Sequence, residues 1–154
     1  LPISRPMRPG ETNYADHIFI NDNDVNKYKD DIAAYTEING YKYFTTYEIV
    51  DQSDIYIIDP NGVLDLKNNL KDQYDFIEIY IRCPINIATE RAIQRGDDLT
   101  TFMTRYKSEN QQFSQYEKSM SFDFHLLNDR SFDEAVNKVV SWITLEKQRR
   151  ELNE

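Results

Sequence analysis

Arg5 and Arg8 stand three residues apart on a stretch, residues 1–10, that also holds three prolines and a glycine. A guanidinium fork matches a phosphate or a carboxylate in two-point contact, and a loop stiffened by proline loses less freedom on closing around an anion. The same two arginines could equally form surface ion pairs with neighbouring carboxylates, and the loop is expected at the surface. Arg91, Arg95 and Arg105 make a second set flanking the polar segment 96–104, with Arg91 and Arg95 one helical turn apart where Gly96 stops a helix. Arginines on a mobile segment over a cleft are what phosphoryl transfer needs, because its catalysis is mostly positioning and neutralisation of charge. Basic residues at a helix end are also favoured by the helix dipole with no ligand involved. Asp59 closes an apolar run, where open α/β sheets bind ligands, and would serve equally as the N-cap of a helix starting near Pro60. His17, His125 and Cys83 show no metal-ligand spacing, and no GxSxG, HExxH or CxxC is present. No metal site is expected from these residues.

These groups must be positioned by recognisable elements. Residues 16–20 read as a short strand and 24–31 as a short helix. Residues 33–38 and 41–46 are β-rich and separated by Asn39-Gly40, a two-residue hairpin signal, so a small antiparallel sheet is expected. From residue 54 the pattern changes. A continuous apolar run at 55–58, a second stretch at 76–81 with Glu78 its only charge, and a third at 122–127 read as buried strands, and helices are expected from Pro60 to about 71, from Pro84 to Gly96, and over much of 97–118. Ser131 with Glu134 forms a capping box for a last helix whose Phe132, Ala135, Val136, Val139, Val140 and Ile143 share one stripe. The polar end from Glu146 reads as a solvated tail. Strands alternating with helices predict a parallel sheet with crossover helices, the hairpin being an insertion into it.

Composition narrows the function classes. The 154 residues carry 27 acidic and 18 basic side chains, a net charge of −9, which disfavours nonspecific attraction to nucleic acid or anionic lipid. No apolar run approaches the ~20 residues of a membrane helix. With one cysteine there is no internal disulfide, and a reducing, cytoplasmic location is expected. The length fits a single domain over residues 1–154. Its first residue, Leu1, suggests a piece of a longer product.

The string Ser4-Arg5-Pro6-Met7-Arg8-Pro9-Gly10-Glu11 resembles the segment with which guanylate kinases grip the phosphate of their nucleoside monophosphate. The order of the remaining pieces is similar to that family from Arg5 to about Ile143: residues 16–19, the hairpin with Gly40 and Tyr43, Ile58-Asp59-Pro60-Asn61-Gly62, residues 91–96, Arg105, then Asn128-Asp129. The resemblance implies an α/β fold of the P-loop nucleoside monophosphate kinase type: a parallel sheet with flanking helices, an antiparallel monophosphate-binding insertion at about 12–50, and a helical lid at about 96–116. It implies that Arg5 and Arg8 hold the monophosphate with Tyr43 as hydroxyl donor, and that Thr45 and Asp59 face the base. Arg91, Arg95 and Arg105 would act on the transferred group as catalytic residues, and Asn128 would lie beside the adenine of ATP, with Mg²⁺ on the donor phosphates. A small nucleotide is then the partner, with neither nucleic acid nor membrane involved. The rival implied by the same resemblance is an inactive guanylate-kinase-like module that recognises a phosphorylated or acidic partner through the arginine loop. Departures from the family are specific. Its GxxxxGK[ST] loop lies upstream of the arginine segment, and this chain is expected to start beyond it. A phosphate-binding tyrosine falls at His17, the glutamate that pairs with guanine at Ala34 with Glu37 nearby, a second acidic residue at Ile57, and a serine near guanine at Leu1.

Overall fold

Two residues of extended chain, β1 (Pro2–Ile3), run parallel to β2 (Ile18–Phe19) and antiparallel to the second strand of a hairpin formed by β3 (Ile32–Ile38) and β4 (Tyr41–Thr46). The sheet order in the computed structural model is β2-β1-β4-β3. Residues 2–7, 11–13, 17–38, 40–119 and 122–152 are described, so Arg8, Gly10, Asp16 and Asn39 of the sequence reading lie outside the described residues. The chain divides into two compact units, Leu1–Asp75 and Phe76–Glu154.

In the first unit the hairpin falls where the two β-rich runs and their turn signal predicted it, and Gly40 takes the positive φ of +79°. Its register pairs Ala34 with Thr45 and Thr36 with Tyr43, and it pairs Tyr35 with Phe44 and Glu37 with Lys42. Because successive side chains alternate, Ala34, Thr36, Tyr43 and Thr45 share one face, and Tyr35, Glu37, Lys42 and Phe44 share the other. Phe44 is fully buried against Tyr28, 5.3 Å between ring centroids, at the end of a 3₁₀ turn over Asp22–Tyr28 that replaces the expected helix at 24–31. Thr46 caps α1 (Tyr47–Asp51), and Asp59 caps α2 (Pro60–Leu70) by accepting from the Gly62 N–H at 3.3 Å. Helix α2 then covers the hairpin edge: Asp65 accepts the Tyr35 N–H at 3.0 Å and Asn69 donates to the Ala33 carbonyl at 2.8 Å. An edge strand whose polar groups are met in this way is closed to further pairing.

The predicted strand at 55–58 is a correction. Those residues belong to no strand, and Ile57 is 90% exposed. A buried parallel strand needs ladder partners as well as apolar residues, and no described strand supplies them.

In the second unit β5 (Ile79–Arg82) pairs parallel with β6 (Phe124–Leu127), and the connection runs through α3 (Ile85–Arg95) and α4 (Leu99–Ser119). Both strands are shorter than the apolar runs at 76–81 and 122–127 that announced them. The Phe76 carbonyl accepts from Arg150 Nη2 at 2.9 Å rather than from a neighbouring strand. Gly96 ends α3 in the left-handed conformation, φ +88°, with the Asp97 N–H returning to the Ala92 carbonyl at 3.0 Å. Tyr80 of β5 sits among Phe113, Tyr116, Phe122 and His125, and the Tyr116 hydroxyl donates to Glu78 at 3.0 Å. The expected capping box opens α5 (Phe132–Glu151), whose Trp142 stacks on Phe124 at 5.0 Å.

The stripe on α5 is amphipathic as read, yet Phe132 is 80% exposed and Val136 and Val140 are also exposed. Periodicity identifies an apolar face and says nothing of what covers it. The expected tail from Glu146 is also corrected, because α5 runs to Glu151 and Glu146 is buried between Arg149 and Arg150, with Arg150 Nε at 2.7 Å. Hydrogen bonds from Arg149, then Arg150, lower its carboxyl from an ordinary 4.5 to about 2. A carboxyl with a depressed folded pKa contributes stability that is complete above its unfolded value and lost as pH falls through the folded one. Between pH 4.5 and 2 the wild-type chain is therefore expected to lose stability more steeply than Glu146→Gln, which starts less stable at neutral pH. Parallel melting-temperature curves for the two proteins over that window would remove Glu146 from the acid-sensitive groups.

Among the described residues no helix is long and apolar enough to cross a membrane.

Candidate functional site

Arg5 follows β1 directly, and the residue before it is pinned to β4: the Ser4 N–H donates to the Lys42 carbonyl at 3.0 Å, and the Lys42 N–H donates to Ser4 Oγ at 2.9 Å. Contrary to the exposed position expected for the arginine loop, Arg5 is only 7% exposed. Its guanidinium lies 5.3 Å from the Phe19 ring centroid, and Nη1 donates to the Pro6 carbonyl at 2.8 Å and to Glu11 Oε2 at 2.6 Å. Nη2 completes a two-point pair with Glu11 Oε1. The Glu11 bond, reinforced by Tyr43, raises the Arg5 pKa above its ordinary value against the opposing effect of burial. Arg5 and Tyr43 are therefore brought into one neighbourhood. Arg8 lies outside the described residues. His17, at the position of the family's phosphate tyrosine, packs its ring 5.8 Å from Phe19.

The face of the sheet that carries Tyr43 also holds the residues read as facing a base. Thr45 is fully buried beside Ala34, and its hydroxyl turns to the Thr46 carbonyl at 3.4 Å. Burial raises the Tyr56 phenol, with a hydrogen bond to Thr45 opposing it. Asp59 is the helix cap that the spacing allowed, and its second oxygen accepts the Thr36 hydroxyl at 3.1 Å. Glu37 cannot stand in for a carboxylate at Ala34, because the register turns it to the opposite face beside Lys42.

Two residues of this neighbourhood had no role in the sequence reading. Glu11 was visible as the last residue of the arginine string, but a loop carries no periodicity that could pair it with Arg5. Thr36 was legible in principle, since it stands two residues beyond Ala34 and so shares its face.

The second unit places Arg91 and Asn128 together. Arg91 Nη1 donates to the Asn128 carbonyl at 3.1 Å and Nη2 to the Arg130 carbonyl at 2.9 Å, and Cys83 Sγ is 3.7 Å away. The Asn128 N–H in turn donates to the Arg82 carbonyl at 2.7 Å, so the loop after β6 is fixed from both sides. Arg95 forms a two-point pair with Asp97, Nε to Oδ1 at 3.1 Å, which raises its pKa. Arg105 Nε pairs with Glu109 one turn along α4 at 2.6 Å. All three arginines thus carry internal partners, Arg91 with neutral carbonyls and the other two with carboxylates.

Chemically, the first unit offers a buried guanidinium with a tyrosine hydroxyl beside it, suited to a phosphate-like anion. No group of three or more His, Cys, Asp or Glu able to hold a metal occurs among the described residues. The 154 residues contain no GxxxxGK[ST].

Compared with known proteins, the family model described as Guanylate kinase matches residues 2–146. No curated protein matches the chain. Among solved structures it is similar to the crystal structure of guanylate kinase from Anaplasma phagocytophilum, with a TM-score of 0.69 and 18% identity over 94% of this chain and 72% of that one. At that identity the likeness speaks for the fold.

Proposed function

Because the chain belongs to the guanylate kinase family, a family of nucleotide kinases, we propose that it serves a nucleoside monophosphate kinase reaction, ATP and NMP giving ADP and NDP, and supplies its monophosphate-binding residues and its lid. Family and fold support a nucleotide-kinase-like role; the single observation that carries the finer reading is Arg5, buried with its guanidinium oriented before any anion arrives. In this reading Arg5, Arg8 and Tyr43 hold the monophosphate, Thr45 and Asp59 line the base, and residues 12–50 form the monophosphate subregion of one domain spanning 1–154. Residues 96–116 act as the lid. Arg91, Arg95 and Arg105 neutralise charge on the transferred group, and Asn128, braced by Arg91, lies beside the adenine. A cytoplasmic location goes with it. Magnesium in such reactions leans on phosphate oxygens and water. With no group of three or more His, Cys, Asp or Glu together among the described residues, Mg²⁺ would be held chiefly by the donor phosphates and water.

The base site is the weakest part of the family pattern. Guanine presents N1–H and its 2-amino group as paired donors, and a carboxylate that accepts both rejects bases lacking them. Ala34 has no carboxylate, Glu37 is on the wrong face, and Asp59 already accepts from Gly62 and Thr36. GMP is therefore expected to bind less than about tenfold more tightly than AMP or dTMP, a gap of about 1.4 kcal/mol. Calorimetric titration of the three nucleotides and of a phosphoserine peptide tests both points. A hundredfold preference for GMP would mean that a carboxylate reaches the guanine edge by another hairpin register. Binding of the phosphopeptide alone would replace the kinase with a binding module.

A further inference from the structure

Resting on Arg5 as the phosphate grip, we propose that Glu11 is a positioning residue of that site, holding Arg5 by one edge of its guanidinium so that the adjacent edge is kept for the anion. A guanidinium has five N–H donors in one plane. Glu11 takes the end-on pair, one proton from Nη1 and one from Nη2, and the Pro6 carbonyl takes the second Nη1 proton at 2.8 Å. The remaining protons are those of Nε and the outer side of Nη2, which together form a second two-point edge. Nε is buried and has no hydrogen-bond partner among the described residues. A buried donor in that state is destabilising until an acceptor reaches it, and two oxygens of a phosphate match the geometry.

Three constraints fix this edge in the unliganded chain. Phe19 lies against the guanidinium, Glu11 fixes its end, and Pro6 fixes the outer corner. Were Glu11 a competitor, the anion would have to displace it from the end-on edge. Nε, buried and without a partner among the described residues, offers the anion a donor on the side edge that Glu11 does not occupy, with the Tyr43 hydroxyl close by, so displacement is unnecessary. Holding the group in its bound geometry beforehand removes part of the ordering entropy of binding.

The test uses the 154-residue chain, GMP and inorganic phosphate, followed by calorimetry, with circular dichroism confirming that each variant folds. Glu11→Ala is expected to weaken both ligands about tenfold, Glu11→Gln to recover part of that through its single carbonyl acceptor, and Glu11→Ala to add nothing once Arg5→Ala is present. Tighter or unchanged binding in Glu11→Ala and Glu11→Gln would make Glu11 a competitor or a bystander and overturn the proposal. So would an undiminished Glu11→Ala effect in the Arg5→Ala background. If Arg5→Ala weakens GMP and the Glu11 variants do not, only the positioning role fails. If Arg5→Ala leaves GMP unchanged, the phosphate grip fails and the positioning role with it.

Discussion

The purified 154-residue chain is expected to form no ADP from ATP and GMP above an Arg91→Ala control. Phosphoryl transfer asks the protein for positioning and charge stabilisation rather than covalent chemistry, so a donor that is not held in line cannot be rescued by arginines nearby. In kinases of this kind a P-loop supplies the backbone N–H cradle and lysine that hold the triphosphate, and residues 1–154 contain no GxxxxGK[ST]. The arginines that remain are engaged: Arg91 with the carbonyls of Asn128 and Arg130, Arg95 with Asp97, Arg105 with Glu109. Preorganised positioning contributes roughly 7–11 kcal/mol to reactions between bound groups, so its loss places turnover at least about 10⁵-fold below a complete enzyme. A coupled assay reading ADP release settles the matter. Turnover by the wild-type chain above the Arg91→Ala control would show that these arginines alone bind the donor productively.

What the sequence made legible was local. The β3–β4 hairpin, the Asp59 and Ser131 caps, the Pro84 start and the Gly96 stop are set by residues adjacent in the chain, and each appears where the spacing placed it. The misreadings concern partners distant in sequence. Residues 55–58 have the composition of a buried strand and no ladder beside them, and the α5 stripe has the period of a buried face with Phe132 and Val140 exposed. Glu146 looked like a solvated tail because nothing in a polar run announces that Arg149 and Arg150 will close over it. At the candidate site the same division holds. Asp59 as a cap follows from Pro60 and Gly62, and Glu37's exclusion follows from strand alternation. Arg5's burial follows from Glu11, Pro6 and Phe19 converging through loops whose geometry no periodicity encodes.

That convergence makes Arg5→Ala the substitution with the largest expected effect on stability, where a surface loop would have tolerated it. The change removes the two-point pair with Glu11, the bond to the Pro6 carbonyl and the contact with Phe19, and it takes the Arg5 cation away from the Glu11 carboxylate, itself only 20% exposed. Removing one partner of a buried ion pair costs about 3–5 kcal/mol, chiefly through the charge left behind, and the partial exposure of Glu11 lowers the expectation here to about 2–4 kcal/mol. A large part of that penalty belongs to the carboxylate that has lost its two-point Arg5 partner. The double variant Arg5→Ala/Glu11→Ala should therefore be more stable than Arg5→Ala alone, although it has lost one more side chain. Arg5→Lys should fall between wild type and Arg5→Ala, because an ammonium keeps the charge and loses the planar fork. GMP affinity should drop by about 1.5–3 kcal/mol in every folded variant that lacks the arginine, the scale of hydrogen bonds to a charged group. Urea unfolding midpoints for the four proteins give the stability order directly. An Arg5→Ala midpoint equal to that of wild type would mean that the Glu11 pair contributes no more than an exposed one, and a double variant less stable than Arg5→Ala would mean that Glu11 holds the loop through contacts independent of Arg5.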